Sequence, residues 1–322
     1  MKTELSVVIP VFNEAAVLPM LFARLYPALD ALGRHYEVIF VDDGSADGSV
    51  ALLREQFTSR PLQTRVLMLA HNAGQHAAIL AGFSEARGSY VVTLDSDLQN
   101  PPEEIAAVVA ALDQGFDCVG TIRKGRRDPW WRRAMSRMLN RIRERTTRIR
   151  ITDQGCMLRG YQRPVVDAIN RCREVSTFIP ALAYIFARRP TEIEVSHAER
   201  AAGQSKYSLF SLIRLNFDLM TGFSLLPLQF FSLTGILIAT ISMGFVVYLL
   251  LRRLLIGPEA EGLFTLFALM FFVIGVLLLG LGVVGEYVGR IYQQVRQRPR
   301  YEIAEVLEEG ASEQSRRSIR AP

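Results

Sequence analysis

The sequence predicts an α/β domain built on a mostly parallel sheet, followed by interfacial helices and two transmembrane helices. Three observations carry this prediction. Short, continuously apolar segments alternate with amphipathic ones up to about residue 122, an arginine-crowded segment follows, and two long uncharged runs lie near the C-terminus. Strands that are apolar along their whole length are those buried on both faces, which places helices on either side of a parallel sheet.

The first apolar run, SVVIPV, has strand length, and Asn13 follows it as a candidate helix cap. Leu18, Leu21, Leu25, Leu29 and Leu32 then recur at three- and four-residue steps, the period of a helix with one buried face. EVIFV precedes a helix after DDGSADGS, RVLML one after HNAGQ, YVVTLD one after QNPPEE, and FDCVGTI closes the alternation. The α/β domain is placed at 1–205. Within it Trp131, Met135, Met138, Ile142 and Ile149 form an apolar stripe, with arginines on the other faces, so an interfacial helix is expected at about 129–148. A second interfacial helix is expected at 206–225, two spans at 226–285 with an outside loop at 252–261, and a C-terminal tail at 286–322 that frays after about residue 303.

Composition agrees. A chain of 322 residues, 50% hydrophobic and 21% charged, is neither a disordered tail nor a small disulfide scaffold. Cys118, Cys156 and Cys172 match no zinc spacing and read as buried thiols in a reducing compartment. A mean hydropathy of +0.18 implies that apolar residues are concentrated. They are: 33 uncharged residues separate Asp218 from Arg252 and 24 separate Glu261 from Glu286, each enough for a bilayer-spanning helix. Arg200, Lys206 and Arg214 precede the first run and Arg290, Arg296, Arg298 and Arg300 follow the second, against Arg252 and Arg253 between them. That asymmetry predicts both termini in the cytoplasm. The net +5 divides into 7 basic and 15 acidic residues over 1–122, a local −8, and 12 basic against 2 acidic over 123–150, a local +10. Next to membrane spans, that basic segment suits an anionic lipid surface and not nucleic acid.

Ligands of parallel α/β sheets bind at the carboxyl ends of the strands, and the polar clusters fall there. PVFNE follows the first strand, Asp42 and Asp43 the second, His71 to Gln75 the third, and Asp95-Ser96-Asp97 the fourth. No GxGxxG follows any of these strands, the one match, Gly280 to Gly285, lying inside the second long uncharged run, and GxxxxGK[ST] does not occur, which argues against a dinucleotide oxidoreductase and a P-loop enzyme. Asp95 and Asp97, one residue apart at a strand end, are placed to share a hard cation, Mg²⁺ or Mn²⁺, with Gln99 as a third oxygen. His71, His76 and His197 are read as local hydrogen-bonding residues, with contact to pyrophosphate as the lesser reading.

PVFNE, VDDGSADGS, NAGQHAAILAGF, TLDSDLQNPPEE, VGTIR, DQGCMLRGY, HAERAAGQSKYS and the closing GEYVGRIY resemble the GT-A family 2 glycosyltransferases that move a sugar from a nucleotide onto a polyprenyl phosphate. The resemblance covers nearly the whole chain. NAGQHAAI, LQNPPEE, DQGCMLR, STFIP and FARR are most similar to the branch handling 4-deoxy-4-formamido-L-arabinose for lipid A modification and cationic-peptide resistance; Ser96 replaces a common Ala. The resemblance implies a GT-A (Rossmann-like) domain in a bacterial inner membrane, an inverting transfer from a UDP-sugar donor to an undecaprenyl phosphate acceptor, and a homotetramer. It implies that Pro10, Phe12, Glu14 and Asp42, with Asp43 beside it, hold the uridine, and that Asp95, Asp97 and Gln99 surround the metal. Arg123, Arg132 and Ser136 are then the groups that receive the acceptor phosphate, and Arg200, Ser205 and Lys206 a flap over the diphosphate. Asp153 is a base, a sugar-orienting carboxylate or a structural cap. Glucose, mannose or an N-acetylhexosamine as the sugar, and a non-catalytic nucleotide-sensing scaffold, are the alternatives.

Overall fold

A computed structural model describes residues 3–123, 152–153, 156–172, 178–196, 226–256, 263–295 and 299–310. The expected interfacial helices at about 129–148 and 206–225, and Arg132, Ser136, His197, Arg200, Ser205 and Lys206, lie outside the described residues.

The described α/β unit begins with four strand–helix repeats. Strands β1 (Leu5–Val11), β2 (Tyr36–Asp42), β3 (Thr64–Leu69) and β4 (Tyr90–Thr93) alternate with helices α1 (Leu18–Asp30), α2 (Ser49–Ser59), α3 (Gln75–Glu85) and α4 (Ile105–Asp113). Then come β5 (Cys118–Arg123), β6 (Arg159–Gln162), α5 (Arg163–Arg171), α6 (Ile179–Phe186), β7 (Pro190–Val195) and finally β8 (Ile303–Leu307). The eight strands form one sheet in the order β7-β5-β6-β4-β1-β2-β3-β8. β4-β1-β2-β3 and β5-β7 pair in parallel, whereas β6 runs antiparallel between β4 and β5, and β8 antiparallel beside β3. The mostly parallel α/β sheet expected from the sequence is therefore the one observed, with two antiparallel strands added.

Alternation along β1 divides the core. Leu5, Val7, Ile9 and Val11 join Val38, Phe40, Val66 and Val92 in a cluster with Leu18, Leu21, Leu25 and Leu29 of α1 and Ile105, Val108 and Leu112 of α4. On the opposite face α3 approaches β1 and β2 so closely that a Cβ at Gly82 would lie 2.3 Å from Val8 Cγ1 and 3.2 Å from Val41 Cγ2. Helices cover both faces, as strands buried throughout require.

Two sequence expectations are corrected. Asn13 is not a helix cap, because α1 begins at Leu18 with Val17 in the cap position. Asn13 instead sits at φ 57 and bridges two loops. The chain does not fray from residue 303, as far as it is described: Ile303–Leu307 pairs with β3, and Ile303 is buried. β3 would otherwise expose an unpaired strand edge. Arg54 binds Glu305 at 2.6 Å, and Arg65 and Arg87 bind Glu308 at 3.0 and 2.5 Å, so these glutamates find their counter-charges on the α/β domain.

The second unit contains α7 (Leu226–Ile256) and α8 (Leu263–Val295). A Cβ at Gly280 would come within 1.9 Å of the Phe231 ring, so the two helices pack closely there. Elsewhere Leu277, Leu278, Leu279, Leu281 and Val284 of α8 are exposed. Among the described residues one helix, α8 through Phe272–Gly289, is long and apolar enough to cross a membrane; α7 carries a shorter apolar stretch, Phe231–Phe245.

Candidate active site

Sheet order creates the site. The chain moves outward from β1 to β2 and β3, then returns to lay β4 on the other side of β1. A crevice opens where strand order reverses, outside the carboxyl ends of β1 and β4. The loops following β1, β2 and β4 carry PVFNE, DDGS and DSDLQ to that crevice.

The first two loops are tied together. The Asn13 and Glu14 amides donate to Ser45 Oγ and Ser49 Oγ, each at 2.9 Å, and the Ala15 amide donates to Asp47 at 3.0 Å. Asn13 Oδ1 accepts from the Ala46 amide at 2.8 Å. Pro10 is buried at the end of β1, Glu14 is half-buried, and the Phe12 ring is 47% exposed, an apolar surface at the crevice.

Asp42 and Asp43 are both buried but differently engaged. Asp43 accepts from the Ala73 and Gly74 amides at 2.7 and 2.9 Å, which fixes the loop after β3. Burial nonetheless holds its pKa above the ordinary carboxylate value. Asp42 Oδ2 accepts from the Ser45 amide at 3.1 Å, while Oδ1 is buried with no hydrogen-bond partner among the described residues. An orphaned buried acceptor costs free energy unless a ligand supplies a donor.

After β4 the chain alternates. Asp95, Asp97 and Gln99 are half-exposed, and Ser96, Leu98 and Asn100 between them are buried. Three oxygen-bearing side chains thus lie on the open side of one short segment. Leu98 adopts φ 59, unfavourable for a leucine, and the Gln99 amide donates to Asp97 Oδ1 at 3.1 Å. Among the described residues no three His, Cys, Asp or Glu side chains converge on a metal position. Two carboxylates and an amide oxygen, completed by phosphate oxygens, are nevertheless the donor set Mg²⁺ and Mn²⁺ take in nucleotide sites. The residues present fit such an ion.

Arg123 and Asp153 meet as a fork: Nε and Nη2 donate to the two carboxylate oxygens at 2.6 and 2.8 Å. Asp153 is buried, and its backbone carbonyl accepts from Arg159 Nη2 at 2.7 Å. Both oxygens are therefore engaged with a cation, so a base role would require the fork to open. His71 is exposed. His76 turns inward against Phe178, ring centroids 5.3 Å apart, and burial together with the nearby Arg159 charge pushes its pKa down to about 4. It is a neutral packing residue.

One contact had no signal in the sequence. Gln75 Nε2 donates to Asp95 Oδ1 at 2.6 Å, joining the first turn of α3 to the DSD segment.

The family model for glycosyl transferase family 2 matches residues 6–169. The chain is 50% identical over 304 residues to the undecaprenyl-phosphate 4-deoxy-4-formamido-L-arabinose transferase of Aeromonas hydrophila, covering 94% of this chain and 93% of that one. It is equally similar, at 50% over 304 residues, to the protein of the same name from Edwardsiella ictaluri, with 94% of each chain covered. Among solved structures, glucosyl-3-phosphoglycerate synthase of M. tuberculosis is 16% identical with a TM-score of 0.49, covering 68% of this chain and 79% of that one. A Pyrobaculum calidifontis mannosyltransferase in complex with GDP-Man and Mn²⁺ is 18% identical with a TM-score of 0.47, covering 69% and 63%. With the family match spanning the strands and loops that build the crevice, and half of all positions shared along nearly the full length of those relatives, the chain is a glycosyltransferase and belongs to glycosyl transferase family 2.

Proposed function

We propose that this glycosyltransferase moves 4-deoxy-4-formamido-L-arabinose from its UDP carrier to undecaprenyl phosphate at the cytoplasmic face of a bacterial inner membrane. The observation that carries this reading is the identity of 50% with relatives named for that reaction, over 94% of the chain, on a site whose donor set suits a nucleotide diphosphate.

The residues divide the work. Asp42 Oδ1, buried and unpartnered among the described residues, suits the imide N–H of uracil, and the exposed Phe12 ring offers it an apolar face. Pro10, Glu14 and Asp43 shape that pocket, Asp43 by holding the Ala73–Gly74 loop. Asp95, Asp97 and Gln99 would hold Mg²⁺ or Mn²⁺ against the diphosphate. When bound, such an ion offsets the negative charge that builds on the departing UDP. The acceptor is a phosphate monoester whose second pKa, near ~6, leaves it mostly dianionic at neutral pH, so it attacks the anomeric carbon without an obligatory base. Backside attack inverts that carbon and breaks its bond to the UDP oxygen. Asp153, engaged by Arg123, then orients the sugar, while Arg123 with Arg132 and Ser136 receives the acceptor phosphate. Arg200, Ser205 and Lys206 close over the diphosphate. α8, with α7 before it, holds this chemistry beside the lipid, both chain ends in the cytoplasm.

Incubating the full-length protein with undecaprenyl phosphate and a panel of UDP- and GDP-sugars, with mass spectrometry of the lipid, tests the proposal. A single lipid-phosphate-linked formamidoarabinose and released UDP are expected. Preferential transfer of glucose, mannose or N-acetylhexosamine refutes the donor assignment. Asp97→Ala should abolish transfer in a protein that melts like wild type; near-normal turnover would sink the metal assignment.

A further inference from the structure

The mechanism leaves one short polar contact at the crevice without a role: the hydrogen bond of 2.6 Å from Gln75 Nε2 to Asp95 Oδ1. A carboxylate only accepts, so the amide nitrogen is the atom that faces it. Gln75 is the first residue of α3, and its backbone is held from several sides. Gly74 before it takes φ 92, and its amide, with that of Ala73, is locked onto Asp43. Asn72 Nδ2 donates to the Asp43 carbonyl at 3.2 Å, and the Asp43 amide donates to the Val11 carbonyl at 2.8 Å, anchoring the loop to the end of β1. Behind Gln75, α3 sits on Val8 and Val41 at Gly82. The amide therefore reaches from a frame fixed on β1 and β2 to the end of β4.

A carboxylate at a strand end has a terminal torsion with broad preferences, so its oxygens turn unless something pins one of them. Holding Oδ1 sets the plane of Asp95 and the direction of Oδ2. Lysine or arginine in place of Gln75 would also pin that oxygen, but would put a fixed positive charge where a cation must come. A neutral amide orients without competing. We propose that Gln75 is a positioning residue that fixes the Asp95 carboxylate for the divalent cation. This rests on the reading of Asp95 and Asp97 as metal carboxylates.

The test uses full-length protein in detergent and follows Mn²⁺ binding by electron paramagnetic resonance with UDP present, UDP binding in EDTA, and kcat. Outer partners of metal ligands typically contribute roughly 10–100-fold to affinity or rate, so Gln75→Met should weaken Mn²⁺ binding and lower kcat by about tenfold or more. UDP affinity in EDTA should stay within about twofold of wild type, because Asp42 and Phe12 are untouched. Gln75→Ala, at the same exposed first-turn position, should behave alike and guards against a misfolded Met variant. Wild-type Mn²⁺ affinity and kcat in both variants would overturn the inference, as would a parallel loss of UDP affinity in EDTA, which would make Gln75 a loop support only. Wild-type Mn²⁺ affinity in Asp97→Ala would instead overturn the metal reading beneath it.

Discussion

Arg65 on β3 is the most informative place to perturb the fold. Its side chain is 6% exposed and meets three carboxylates: Glu37 of β2 at 3.3 Å, Glu85 of α3 at 2.9 Å, and Glu308, just past β8, at 3.0 Å. Glu37 is equally buried and also accepts from Ser6 Oγ at 2.6 Å and the Arg87 amide at 2.7 Å. Arg65→Met keeps the volume but leaves the Glu37 charge buried without its cation. Breaking one partner from a buried pair costs about 3–5 kcal/mol, far more than the net worth of the intact pair. At roughly 2–4 °C per kcal/mol for a unit of this size, the melting temperature should fall by about 6–20 °C. Glu308→Gln should cost only about 1 kcal/mol or less, because Glu308 is 29% exposed and the other two carboxylates keep Arg65 neutralised. The assay is thermal unfolding of the full chain in detergent at one pH and salt concentration. An Arg65→Met variant that melts within a degree or two of wild type, or a Glu308→Gln variant as damaged as Arg65→Met, would refute this account.

Asp42→Ala should weaken UDP binding by about 10- to 100-fold, the value of a hydrogen bond to a charged group, as measured by calorimetry in EDTA. Deleting residues 299–322 removes β8 and uncovers the edge of β3, so the truncated protein should aggregate on light-scattering assays where the full chain does not. The pKa of His76, about 4 when folded against an ordinary 6.5, means the unfolded chain binds more protons between those values. Stability is therefore full above about pH 6.5 and falls as pH drops toward about 4, by at most ~3 kcal/mol, and His76→Leu should flatten that part of a denaturant-unfolding profile. Gly88→Ala would drive a Cβ to 2.6 Å from the Ser6 backbone nitrogen, which cannot give way, so a loss of about 3 kcal/mol or more is expected in the same assay.

The repeats of strand and helix over 5–113 were legible because each strand carries a mostly apolar run, broken by Ser6, Glu37 and Arg65, and each helix carries a leucine or alanine face, properties fixed by neighbours in sequence. β6 was not legible: RGYQ is four residues long and carries Arg159, fully buried yet bonded only to the backbone carbonyls of Cys156 and Asp153 among the described residues. β8 was hidden by Glu305 within it and Glu308 just past it, whose partners Arg54, Arg65 and Arg87 are more than 200 residues away in sequence. Within the site, residue types at strand ends marked Asp42, Asp95 and Asp97, but nothing local distinguishes the Asp43 that clamps a loop from the Asp42 that leaves an oxygen open.

The sequence by itself determined the class of the α/β domain, the carboxylates at its strand ends and the apolar stretch of α8, because hydrophobic periodicity and residue chemistry are local. Only the tertiary structure decided that β4 lies beside β1 and so opens the crevice at DSDLQ, that Gln75 reaches Asp95, that Arg123 is engaged by Asp153, and that the chain beyond α8 returns to close the sheet. Those are contacts between segments 20 to more than 200 residues apart, set by strand order and by which buried charge must find its partner, and no local pattern encodes them.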